Sequence, residues 1–110
     1  METNVYTTDE RFSLASTIWR QLGSERFSFA TGCAPLTYGE DNGMVYLLMK
    51  VGSNSKAISL FEVAYNAVRD IYEVSFMSKR FGKTDVVANY SEVCGDMIHT
   101  LFKQHTGIEV

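Results

Sequence analysis

Hydrophobic positions along the chain follow two periods, one helical and one alternating. Phe12, Ala15, Ile18, Trp19 and Leu22 recur three or four residues apart, which places them in one stripe of a helix lying on a core. Thr8 or Asp9 can cap it, Asp9 and Glu10 suit the positive end of its dipole, and Gly23 can end it in a left-handed conformation. From Arg26 to Gly32 the pattern changes to alternation, Phe27 and Phe29 against Ser28 and Ala30, which predicts a half-buried strand. Cys33 to Asn42 holds the single proline, Pro35, together with Gly39 and two acids, and reads as a loop.

Asn42-Gly43 is the signature of a type I′ hairpin turn, because both central residues need φ > 0. It launches Met44 to Val51, MVYLLMKV, whose apolar residues occupy both faces as in a central strand. Gly52 to Lys56 is a turn. Ala57 to Tyr65 puts Phe61 and Val63 on one face and Leu60 and Glu62 on the other. After the short link Asn66 to Asp70, Ile71 to Ser78 alternates Tyr72, Val74 and Phe76 with Glu73, Ser75 and Met77. Lys79 to Asp85 reads as a charged loop, and Val86 to Ala88 as a short extended piece. A second helix is predicted from about Asn89 to His105, closed by Gly107, with Tyr90, Val93, Cys94, Met97, Ile98, Leu101, Phe102 and His105 on its apolar half. Gly95 falls inside it, where it permits a close approach at a cost of about 1 kcal/mol against alanine.

The reading is one α+β domain over residues 1–110, α-β-β-β-β-α, with residues 1–8 frayed. Four antiparallel strands form a meander, and the N- and C-terminal helices pack on one face. Glu62 and Glu73 mark the uncovered face. Its remaining apolar residues, with the wide helical face, are compatible with a homodimer.

Composition narrows the setting. A length of 110 residues suits a single core, and a net charge of −3 gives no general attraction to nucleic acid. Cys33 and Cys94 match neither a disulfide framework nor a metal spacing, which points to a reducing compartment. No apolar run approaches a membrane span and no secretory leader is read at METNVYTTDERF, so the expectation is a cytoplasmic protein with no membrane partner.

Between Gln21 and Gly107 a series of short pieces resembles a known group. They are QLGSERF, Thr31-Gly32, DNG at Asp41 to Gly43, NSKA at Asn54 to Ala57, DIYEVSF at Asp70 to Phe76, VVANYSEV at Val86 to Val93, and the ending from Asp96 to Gly107. In order and spacing they resemble a family of small uncharacterised proteins encoded by bacteriophages and other mobile elements of bacteria. Members usually continue from Thr-Gly with a small residue, lysine and asparagine, where this chain has Cys33, Ala34 and Pro35. The resemblance implies a bacterial host cell as the setting. It implies no particular chemistry.

Little in the chain suggests catalysis. Glu92, Asp96 and His99 would share one face of the second helix as metal ligands, but with Lys103 beside them the plainer reading is a solvated face, and no metal site is assigned. Cys33 would be a reactive thiol only if His99 or His105 approached it. No phosphate-binding glycine loop, dinucleotide fingerprint, nucleophile elbow or zinc-protease motif is present, and no cofactor is expected.

One constellation stands out from topology. Alternate connections of a meander lie at the same end of the sheet, so the turn Gly52 to Lys56 and the loop Lys79 to Asp85 should be neighbours. That gathers Asn54, Ser55, Lys56, Lys79, Arg80 and Lys83, with Phe81 among them, as a candidate binding site for phosphate or single-stranded nucleic acid. The opposite end collects Glu40, Asp41 and Asp70. The sequence therefore ranks three functions. The first is a non-enzymatic protein that docks on a host or phage protein, regulating or inhibiting a host function. The second is a nucleic-acid accessory protein using the basic end, and an enzyme comes third.

Overall fold

The structure is a computed structural model that describes Val5 to Val110. Two helices come first, α1 (Thr8–Leu22) and α2 (Ser24–Thr31). Five strands follow: β1 (Ala34–Asp41), β2 (Met44–Lys50), β3 (Leu60–Asn66), β4 (Ile71–Arg80) and β5 (Lys83–Val93). A single 3-10 turn, Gly95–Met97, leads into α3 (Ile98–Thr106). The strands form one antiparallel sheet in the order β1-β2-β3-β4-β5. The α+β meander is present, with five strands where four were expected and three helices where two were expected.

The register shows how one face became the core. Tyr38, Leu47, Val63, Val74 and Tyr90 form one cross-strand row over all five strands, and Thr37, Leu48, Glu62, Ser75 and Asn89 form the row facing the other way. Phe12 of α1 meets Tyr38 edge-on at 6.0 Å between ring centroids, while His105 of α3 bonds the Tyr90 hydroxyl at 2.6 Å. Helices at both ends of the chain therefore cover the same face. Phe27, Phe61, Phe76 and Phe102 pack under them, with Ile18, Leu22, Met49 and Ile98 also buried. No helix among the described residues is long and apolar enough to cross a membrane.

Three elements differ from the reading of the sequence. The predicted strand Arg26 to Gly32 is helix through Thr31, capped by Gly32: Phe27 and Thr31, four residues apart, are buried, while Phe29 is 95% exposed. Two aromatics with alternate spacing fit either period over so short a run. The helical one prevails because Phe27 reaches the rings of Trp19, Phe61 and Phe102. The end of α2 is also held closely. A Cβ on Gly32 would lie 2.8 Å from the Gly52 Cα, so two glycines let the helix end touch the β2–β3 connection.

Cys33 to Asn42 is largely strand, not loop. β1 is an edge strand, where Pro35 displaces no ladder bond needed inside the sheet, and the register shifts between Pro35 and Thr37. Gly39 lies under the Tyr46 ring, which fills the space its missing side chain leaves.

The predicted helix from Asn89 is the third correction. β5 runs through Val93, the 3-10 turn follows, and helix begins only at Ile98. Glu92, Asp96 and His99 are therefore on three different elements and share no helix face. The β4 and β5 strands also extend into the expected Lys79–Asp85 loop, leaving only Phe81-Gly82 between them. At the start of the chain Thr7, not Thr8 or Asp9, caps α1 in a reciprocal box with Glu10. The expectation of fraying falls partly on Met1 to Asn4, which lie outside the described residues. Beyond them, the Tyr6 N–H donates to Glu40 at 3.1 Å.

Candidate functional site

Two opposite ends of the sheet carry opposite charge. At the basic end the β2–β3 connection and the β4–β5 hairpin meet, as the meander requires, and form a cleft of about 630 Å³. Lys50, Ser53, Asn54, Lys79 and Arg80 line it, over an apolar floor that includes Leu36, Ile58 and Leu60. Of the six residues singled out from sequence, the cleft takes in Asn54, Lys79 and Arg80. Ser55, Lys56 and Lys83 are exposed outside its lining, Lys83 directly opposite Arg80 in the hairpin. Lys50 is the addition that sequence reasoning missed. It ends a strand read as apolar, and its register opposite Leu60 places it at the same end of the sheet as Lys79.

The cleft is built on hydrogen bonds that leave its cations out. The Asn54 amide donates to the Gly52 and Ile58 carbonyls at 2.8 Å each and accepts from the Ile58 N–H at 3.1 Å. Its side chain is thus engaged in folding the connection, which makes Asn54 a positioning residue. Ser78 Oγ donates to the Ala57 carbonyl at 3.0 Å, and the Lys79 N–H donates to Ser59 Oγ at 3.1 Å, tying the hairpin to the connection. By contrast, no ion pair among the described residues involves Lys50, Lys56, Lys79, Arg80 or Lys83. Five of the chain's ten lysines and arginines stand at this end. Against them the β4–β5 hairpin carries one acid at this end, Asp85, opposite Ser78, so cations outnumber acids in these two connections although the net charge is −3.

At the acidic end Glu40 and Asp70 are occupied. Glu40 forms an ion pair with Arg11 at 3.7 Å and accepts from the backbone N–H groups of Val5 and Tyr6. Asp70 accepts from the Tyr65 hydroxyl at 2.7 Å, and this hydrogen bond pushes the phenol up to about 12. Burial raises the Glu62 carboxyl above its ordinary range, with the charges of Glu73 and Asp41 adding to the shift. Asp41, Glu62 and Glu73 line a second hollow of about 510 Å³ on the uncovered face.

The remaining candidates are structural. Cys33 is wholly buried, and burial raises its thiol despite an opposing hydrogen bond from Thr31, so it is a poor nucleophile. One ring nitrogen of His99 faces the Leu22 carbonyl at 2.6 Å, and one of His105 faces the Tyr90 hydroxyl, so the two histidines serve the packing of α3. Among the described residues no three His, Cys, Asp or Glu side chains gather where they could hold a metal ion. Comparison with family models, with curated proteins and with solved structures finds no match to this chain.

Proposed function

We infer that the chain is a non-enzymatic binding protein whose ligand is a phosphate-bearing polymer of the single-stranded nucleic-acid class, held in the basic cleft. One observation carries this reading: Lys50, Lys79 and Arg80 line a single cleft, and among the described residues no carboxylate is paired with any of them. A phosphate backbone supplies the countercharges that the fold withholds, and it releases counterions on binding. None of the groups with shifted acidity (Cys33, Glu62, Tyr65, Tyr72) lines this cleft, which supports binding over proton-transfer chemistry.

The test is a titration of a labelled oligothymidylate at low salt. Lys50→Ala and Lys79→Ala should each weaken binding severalfold, whereas Lys103→Ala, on α3 and paired with Glu109, should leave it unchanged. Equal weakening by all three would reject the cleft as the site.

A second reading is docking on a host or phage protein, in the bacterial setting that the phage resemblance implies. It is supported by the uncovered sheet face, where Tyr46, Leu48, Leu60, Ala64 and Met77 are only half-buried. Leu48→Glu, which leaves the basic cleft intact, should then abolish capture of that protein from host lysate treated with nuclease. Unchanged capture by this variant would sink the reading.

A further inference from the structure

The tip of the β4–β5 hairpin departs from what folding alone would select. Its two central residues, Phe81 (φ 51°) and Gly82 (φ 78°), are both left-handed, as a two-residue type I′ turn requires. Asparagine, aspartate or glycine is the economical choice at the first position, and a bulky L-residue there is an outlier. The Phe81 ring gains nothing in return from the fold, because it is fully exposed at 103%. Arg80 and Lys83 flank the turn and stand directly opposite each other, a like-charge rung that weakens the ladder. Past Met77 the β4 strand has no β3 residue paired with it, Ser78 and Lys79 being tied only to Ala57 and Ser59 of the connection, and the Arg80–Lys83 tip lies beyond these bonds. Three local rules are broken within four residues, beside a basic cleft. Such conflicts concentrate where a residue is kept for function.

We propose that Arg80-Phe81-Gly82-Lys83 is a stacking finger: the Phe81 ring takes an unpaired nucleobase while Arg80 and Lys83 hold the adjoining phosphates. The proposal rests on the reading of the cleft as a nucleic-acid site and deepens it by naming what distinguishes the ligand. Phosphates alone would need only the cations. An exposed aromatic offers its face to any base that is not already stacked in a duplex, so the site selects single strands over double strands without reading sequence. Rigid presentation favours this, since the turn is only two residues long and the strands below it are paired.

The decisive variant is Phe81→Asn, which installs the residue the turn prefers and is expected to fold at least as well as the parent. Binding is measured with three probes of equal length: oligothymidylate, the same backbone carrying abasic sites, and a duplex. For oligothymidylate the variant should bind about ten-fold more weakly with an unchanged salt dependence. It should match the parent on the abasic strand, and Phe81→Trp should restore binding to oligothymidylate. If the parent binds oligothymidylate and Phe81→Asn binds it equally well, the finger is rejected and the cleft stands. If the parent binds no oligonucleotide at low salt, the cleft reading falls and the finger with it. Tight binding of the parent to phosphatidylserine vesicles that oligothymidylate does not displace, and that Phe81→Asn abolishes, would overturn the nucleobase assignment in favour of a lipid surface.

Discussion

The two ends of this sheet are built on the same turn and treated differently. Asn42-Gly43 and Phe81-Gly82 each join two strands through a pair of left-handed residues, with φ near 53° and 76° in one and 51° and 78° in the other. The first uses the residue that this geometry favours; of the acids at its end Glu40 is tied down by Arg11 and Asp70 by Tyr65, while Asp41 stands near Glu62 and Glu73. The second places a fully exposed aromatic in the same position and surrounds it with cations that pair with no acid among the described residues. At the first turn residue type and backbone geometry agree. Where they disagree, something outside the chain is the simplest source of compensation.

Breaking the contrast at its electrostatic root should have the largest effect. Lys50→Glu with Lys79→Glu should lower affinity for oligothymidylate by roughly a hundred-fold at low salt and flatten its salt dependence, while the far-UV spectrum stays unchanged. An unaltered affinity would show that the cleft is not used.

Exchanging the turn residues tests the contrast from the side of stability. Phe81→Asn should stabilise the fold by about 1 kcal/mol, raising the melting temperature by several degrees. The reciprocal change, Asn42→Phe, should destabilise by about the same amount and confer no binding at the acidic end. Thermal unfolding of both variants would contradict this account if Phe81→Asn proved the less stable.

The smallest expected effect concerns Glu62. Burial and the neighbouring charges of Glu73 and Asp41 hold its carboxyl above the ordinary value of 4.5, so the folded chain binds this proton more tightly than the unfolded one. The penalty on the charged form is fully present above the raised value and fades as pH falls toward 4.5. Stability from this group therefore rises on mild acidification. Glu62→Gln should be slightly more stable than the parent near pH 7 and should lose that advantage as pH drops through this window. An advantage that grows on acidification would contradict the assignment.

The sheet was legible where a long apolar or alternating run is bounded by turn residues, as at Met44–Lys50 and over Ile71 to Ser78 of β4. It was misread where one signal masked another. Pro35 and Gly39 look like loop residues, yet an edge strand tolerates both, and the Tyr46 ring that covers Gly39 is visible only once the register is known. Tyr90 and Val93 match a helical stripe with Ile98 and Phe102, but they reach the same core from a strand that turns at Gly95 into a helix. The parallel between helix ends was also missed. In both α2 and α3 a threonine hydroxyl donates to the carbonyl of the phenylalanine four residues earlier, Thr31 to Phe27 and Thr106 to Phe102, just before a left-handed glycine. Phe-x-x-x-Thr-Gly occurs twice in the chain, and reading the first copy like the second would have made Arg26 to Thr31 a helix.

The basic end followed from topology alone, since a meander must bring its alternate connections together. Its details did not. Asn54 resembled a ligand-binding residue and proved to be the clasp of the β2–β3 connection, while Lys50 emerged only as a lining residue of the same cleft as Lys79.

The central claim is that the basic cleft binds a phosphate backbone, and the salt dependence of oligothymidylate binding by the parent chain tests it most directly. With three or four of the cations each engaging a phosphate, the logarithm of affinity should fall with the logarithm of salt concentration at a slope of about −2 to −3. Measurable binding whose slope is near zero, or no binding at low salt, would contradict it.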